Sequence, residues 1–164
     1  MGVEVYPRFV LITKDGEKKV DQFSDDDLIE QFQAMLKEGG VNEIEALRNE
    51  IKARLAIRRE REWLQESVWV YQEQAQKVIE VLTTNLKAHF GESCRVWQNE
   101  DHVKGGKYPH YLCSADLKGY GGDTCHMWRD GQTYWPMVGD YSLDEMEKAE
   151  LILRKSILEF QKRG

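Results

Sequence analysis

The chain has 164 residues, 41% hydrophobic and 32% charged, with 23 Lys+Arg against 29 Asp+Glu and a net charge of −6. That length holds one domain, or one domain with an arm, and that composition excludes a disordered tail, a collagen-like repeat and a disulfide-stapled mini-protein. The acidic balance argues against a strongly basic nucleic-acid sleeve.

Residues 3–13 alternate, with Val3, Val5, Phe9 and Leu11 on one parity and Val10 and Ile12 on the other. They read as a strand covered on both faces towards its end, with Pro7 at an edge or start. Asp15-Gly16 suits a type I′ turn, so Glu17–Phe23 reads as the returning strand. A short helix follows. Ser24 is its N-cap, Asp25, Asp26 and Asp27 fill its first turn, and Gly39-Gly40 ends it. Leu28, Ile29, Phe32, Met35 and Leu36 form its buried stripe.

From Asn42 to about Phe90 there is neither Pro nor Gly. Asn42 with Glu45 resembles a capping box, and Gly91 is the stop. An unbroken helix here spans roughly 70 Å at about 1.5 Å per residue, against roughly 30 Å across for a globule of this length. Leu64, Val68, Tyr71, Ala75, Val78 and Leu82 are spaced as a heptad seam, while Ile44, Leu47, Ile51 and Leu55 make a narrower stripe. Between them stand Arg58-Arg59-Glu60-Arg61-Glu62, where the helix crosses solvent or turns back. The expectation is one continuous or mildly bent helix.

After Gly91 the composition changes: residues 95–141 hold seven of the thirteen Gly, eight of the seventeen aromatics and three of the four His. Cys94–Gln98, Tyr108–Ala115, Thr124–Arg129 and Gln132–Met137 read as short antiparallel strands, with Asp130-Gly131 a hairpin turn. The last helix runs from Leu143 to about Lys162, with Ser142 and Glu145 as capping box and Tyr141 and Met146 as staple. Its core stripe is Met146, Ala149, Leu153, Ile157 and Phe160.

The fold class is therefore α+β: an N-terminal β-hairpin and short helix (1–41), a very long central helix (42–91), then an antiparallel three- or four-stranded meander and a C-terminal helix (92–164), packing with 64–90 as one core. Helix, meander and helix also follow one another in double-stranded RNA-binding domains. Their basic cluster at the last helix is here Asp144-Glu145-Met146-Glu147-Lys148, so membership does not follow.

Three cysteines without a CxxC pair, no signal-peptide pattern and no apolar run near a membrane span of about 20 residues point to a reducing, cytoplasmic setting with no membrane. Gly2 lacks the Ser or Thr that a myristoylation motif wants where Tyr6 stands.

HExxH, Walker and GxSxG motifs are absent. If the strands at 108–115 and 124–129 pair about residue 119, Cys113 faces Cys125. Cys94 could then join them with His102 or His110 as fourth ligand, giving a metal set such as Cys94, Cys113, Cys125 and His110, though it lacks the tight knuckles of structural zinc, and buried apolar thiols are the plainer reading. Cys125-His126 resembles a nucleophilic dyad, but strand neighbours point to opposite faces. Trp97, Lys104, Lys107, Tyr108, Tyr120, Trp128, Arg129 and Trp135 combine rings and cations in the way that holds unpaired bases. Arg48, Lys52, Arg54, Arg58, Arg59 and Arg61 are interleaved with Glu50, Glu60 and Glu62 and read as a salt-bridged helix face.

The charge is even along the chain, with 13 basic and 17 acidic residues in 1–91 and 10 and 12 in 92–164. The leading expectation is a non-enzymatic protein–protein interaction module without cofactors. It self-associates as a coiled-coil-like homodimer through Ile44, Leu47, Ile51, Leu55, Leu64, Val68 and Tyr71, and serves as an acidic regulator or inhibitor of a nucleic-acid-handling protein. The alternatives are a nucleic-acid binder using the meander at 95–137, and a small enzyme or zinc protein using its Cys and His.

Overall fold

A computed structural model describes residues 10–13, 16–38, 41–62, 67–104, 108–119, 125–136 and 141–163. It mixes helices with antiparallel sheet and divides into two units. Unit 1 comprises Met1–Glu62 and Val138–Met146, and unit 2 comprises Trp63–Met137 and Glu147–Gly164.

In unit 1, β1 (Val10–Thr13) pairs antiparallel with β2 (Gly16–Lys19), with Thr13 opposite Gly16. The expected return strand to Phe23 stops at Lys19. Val20–Gln22 form a 3₁₀ turn that carries Val20 and Phe23 into the interior, and the Lys19 N–H donates to Gln22 Oε1 at 3.2 Å. The part of the strand at 3–9 lies outside the described residues. Helix α1 (Asp25–Glu38) starts as expected, Ser24 Oγ accepting the Asp27 N–H at 3.1 Å. Its stripe is narrower than expected: Leu28 and Phe32 are buried, Ile29 and Met35 half-buried, and Leu36 exposed.

Helix α2 (Val41–Glu62) begins one residue before Asn42, which therefore lies inside the first turn. It packs against α1 and buries Leu47, Ile51 and Leu55. Arg54 fastens the pair: Nη1 donates to Asp25 Oδ1 at 2.8 Å, Nε to Glu50 Oε2 at 3.0 Å and Nη2 to the Phe23 carbonyl at 2.7 Å. Arg58 donates to Asp25 and, at 2.6 Å, to Asp144 Oδ1. The basic stretch is thus salt-bridged, as expected, at these two positions.

The continuous helix expected over 42–90 is not formed. α2 ends at Glu62, residues 67–71 belong to no helix and Tyr71 is extended, a 3₁₀ turn follows at Gln72–Gln74, and α3 runs from Ala75 to Phe90. Absence of Gly and Pro permits a helix without requiring one. Val68-Trp69-Val70-Tyr71 is β-branched and aromatic, and its burial has period two: Val68 and Val70 are buried, Trp69 half-buried and Tyr71 59% exposed. The Val70 N–H donates to the Arg129 carbonyl at 3.1 Å, as a strand would. The heptad seam was therefore two patterns joined, and its helical part is Ala75, Val78 and Leu82, all buried on α3.

The rest of unit 2 is a four-stranded meander in the order β3 (Arg95–Trp97), β4 (Tyr111–Asp116), β5 (Cys125–Trp128), β6 (Thr133–Tyr134), with a short α4 (Glu100–Lys104) after β3. β4 starts later, and β6 is shorter, than the spacing suggested. α3 packs on β3 and β4. α5 (Leu143–Arg163) has the expected capping box, Ser142 N–H to Glu145 Oε1 at 3.0 Å and Glu145 N–H to Ser142 Oγ at 3.1 Å. Within unit 2 it buries Ala149, Leu153 and Ile157 and leaves Phe160 half-buried, and its Ser156 Oγ accepts from Asn85 of α3 at 2.9 Å. Among the described residues no helix is long and apolar enough to cross a membrane.

Candidate functional site

The meander's register sorts its side chains onto two faces. Ala115 lies opposite Cys125 and Cys113 opposite Met127, so the inner face is Cys113, Ala115, Cys125 and Met127, all fully buried. Cys113 therefore does not face Cys125: the pairing centre lies at residue 120, one residue beyond the expected one. The other face carries one row across all four strands, Trp97, Ser114, His126 and Tyr134. A register shift between Tyr111 and Cys113 brings Tyr111 to the same face, where its hydroxyl meets Ser114 Oγ at 2.9 Å.

Around that row the rings gather. His126 is stacked between Trp128 and Tyr134, each 6.1 Å away. His102 of α4 lies 4.7 Å from Tyr108, 4.9 Å from Tyr111 and 5.5 Å from His126. α4 is held there by Asn99, whose N–H donates to the Tyr111 hydroxyl at 2.7 Å and whose Oδ1 accepts the Asp101 N–H at 3.0 Å. Among the described residues the buried His102 Nδ1 has no hydrogen-bond partner.

Beside the rings opens a cleft of about 390 Å³ lined by Tyr108, Pro109, His110, Trp128, Asp130 and Gln132. The Asp130-Gly131 turn shapes one end: Asp130 Oδ1 accepts the Gln132 N–H at 3.1 Å, and Gly131 takes φ +88°. His110 meets Trp69 edge-on at 5.7 Å, and Arg129 bridges the same side, its guanidinium 5.9 Å from the Trp69 ring centre and its Nε donating to the Tyr111 carbonyl.

Of the expected surface, Trp97, Tyr108, Trp128 and Arg129 lie on this face or its rim. Lys104 is on α4, paired with Glu100 at 3.2 Å. Trp135 does not belong to it: the ring is buried, its indole N–H donating to Thr133 Oγ1, which in turn donates to the buried Glu150. Lys107 and Tyr120 lie outside the described residues, as does Leu64 of the partner helix. Leu47, Ile51, Leu55 and Val68 of that set are covered within the single chain, Ile44 is half-buried, and only Tyr71 is exposed. The sequence missed Ser114 and Gln132, and offered His102 only as a metal candidate and Asp130 only as a turn residue. His102, Tyr111 and Ser114 gather through a short helix and a bulge without a spacing signature, whereas Gln132 was visible only as the start of a strand.

The metal set Cys94, Cys113, Cys125 and His110 is not assembled: among the described residues no three His, Cys, Asp or Glu stand together as a metal site. Burial pushes the Cys113 and Cys125 thiols well up, and pushes Cys94 to about 11 against the opposite pull of Lys87, with a smaller rise from Asp116. Cys125 thus faces the core with a protonated thiol, away from His126. Ser114 and His126 Nδ1 are 3.3 Å apart, but Ser114 is fully buried and shared with Tyr111, which makes it a strut of the aromatic face. No protein-family model matches this chain, nor does any curated protein or solved structure.

Proposed function

We propose that this chain is a non-enzymatic protein–protein interaction module whose partner docks on the aromatic face of unit 2. The cleft between Tyr108, His110 and Trp128 carries that reading: it is open, ring-lined and edged by the Asp130 carboxylate. Nucleic acid is the less favoured ligand for this face. Phosphate binding needs lysine and arginine, and here Lys104 is paired with Glu100, Arg95 with Asp116, and Arg129 is bonded to the Tyr111 carbonyl.

The net charge is confined to the unit that does not carry the cleft. Unit 1 has 11 basic and 17 acidic residues while unit 2 has 12 of each, so the whole net charge belongs to unit 1. That refines the even spread along the chain and agrees with an acidic regulator. Self-association through residues 44–82 has less to stand on, because most of its seam is covered within one chain. The test is a nuclease-treated pull-down from the native host with wild type and the Tyr108→Ala/Trp128→Leu double variant. Partner capture that survives nuclease and is lost in the variant is expected. Capture that vanishes with nuclease, accompanied by a gel shift, reassigns the face to nucleic acid.

A further inference from the structure

We infer that the cleft receives an arginine side chain from a basic segment of the partner, a refinement that rests on the interaction reading above. The lining is electrostatically one-sided. Tyr108, His110 and Trp128 supply aromatic rings, Asp130 adds a carboxylate, and no lysine or arginine is among the described lining residues. An aromatic ring carries the negative lobe of its quadrupole on its faces, so a lining of rings and a carboxylate favours a cation and disfavours a phosphate.

Between the two basic side chains, geometry selects arginine. A guanidinium is planar: it can lie on an indole while its fork reaches a carboxylate, which the compact, strongly hydrated lysine ammonium cannot do. The protein builds the same arrangement from its own residues nearby. Arg95 stands 5.5 Å from the Trp97 ring centre with its Nη2 3.7 Å from Asp116, and Arg129 stands 5.9 Å from the Trp69 ring centre. Trp128 and Asp130, two residues apart in the chain, both line the cleft and offer it a tryptophan and a carboxylate, with the arginine left to be supplied.

Asp130 also permits a clean test. Its Oδ1 accepts the Gln132 N–H, and Asp130→Asn keeps that acceptor while removing the charge, so the turn stays intact. The probe is a labelled Gly-Arg-Gly-Arg-Gly peptide, followed by fluorescence anisotropy and by amide shifts of Trp128 and Gln132. The same peptide with citrulline removes the charge at constant shape, a lysine version removes the plane, and oligo(dT) tests the nucleic-acid alternative. Binding of the arginine peptide is expected, at least tenfold weaker with citrulline, weaker with lysine, and at least tenfold weaker for Asp130→Asn at an unchanged melting temperature. Equal binding of the arginine and citrulline peptides, or full binding by Asp130→Asn, overturns the inference. So does oligo(dT) shifting Trp128 where the arginine peptide does not. If the arginine peptide fails while the double variant still loses its host protein, the interaction reading stands and only the arginine assignment falls.

Discussion

Arg54 and Asp25 lie 29 positions apart and meet at 2.8 Å, which ties the middle of α2 to the first turn of α1. Arg54 is only 15% exposed and also holds Glu50 and the Phe23 carbonyl. Its guanidinium therefore satisfies acceptors on three segments at once. Arg54→Ala should destabilise unit 1 by roughly 2–3 kcal/mol, the range for charged hydrogen bonds that lose their partner. Arg54→Lys should recover less than half, because an ammonium cannot fork. Urea midpoints of the three proteins read this directly, and a lysine variant as stable as wild type would show that charge alone suffices.

The same pair sets an acid limit. Burial raises the Asp25 carboxyl, but hydrogen bonds and charge from Arg54 and Arg58 outweigh it and hold it below its ordinary value of 3.8. A lowered folded pKa means that the contribution is fully present above the unfolded value and is lost as pH falls through the folded one. Wild type should therefore lose stability below about pH 3.8 more steeply than Asp25→Asn, which has no proton to take up at this site. Urea midpoints taken between pH 5 and pH 2 make the comparison. Parallel profiles would remove Asp25 from the acid response.

How far the sequence disclosed this site depends on the kind of signal each residue carries. Ser24, Ser142 and Glu145 cap helices through contacts three residues long, and such contacts are read from spacing alone. The inner and outer faces of the meander were legible as alternation. Their register was not, because one residue's difference in pairing centre separates Cys113 opposite Cys125 from Cys113 opposite Met127, and no turn chemistry at 117–124 fixes it. The break after Glu62 was missed for a different reason. Val68 fits the heptad with Tyr71 as well as a two-residue period with Val70, and the bond that decides between them comes from Arg129, about sixty residues away. Apolar runs this short are ambiguous until a distant partner is known.

The thiols offer a check on the inner face. Cys94, Cys113 and Cys125 are buried, and burial holds all three protonated, Cys94 at about 11. An aromatic disulfide reagent at pH 8 should label none of them within the dead time of native mixing and all three in urea. One thiol that reacts rapidly in the native protein would mean that its strand is open to solvent.

Glu150 supports the buried end of the sheet. It is fully buried and accepts from Thr133 Oγ1 at 3.0 Å, and Thr133 accepts from the Trp135 indole at 2.8 Å. Glu150→Ala leaves that chain without its last acceptor and should cost about 2–4 kcal/mol, whereas Trp135→Phe removes one neutral donor and should cost about 1 kcal/mol. Thermal or urea unfolding of the two variants gives the ratio, and equal losses would mean that ring packing rather than the hydrogen-bond chain dominates there.

The turn that edges the cleft depends on Gly131 for two separable reasons. Its φ of +88° is one that residues with a Cβ rarely adopt, and a Cβ at this position would sit 2.9 Å from Val68 Cγ2. The first is a backbone penalty of roughly 1–2 kcal/mol, and the second is overpacking of about 1–3 kcal/mol. Gly131→Ala should therefore lose roughly 2–5 kcal/mol in all. Val68→Ala removes the methyl that clashes but leaves φ unchanged, so Gly131→Ala made in that background should lose only the backbone part. A double-mutant cycle with coupling above about 1 kcal/mol is the expected result. No coupling would mean that the segment at 67–71 can move away from the turn, and that the Val70 to Arg129 hydrogen bond does not hold it in place.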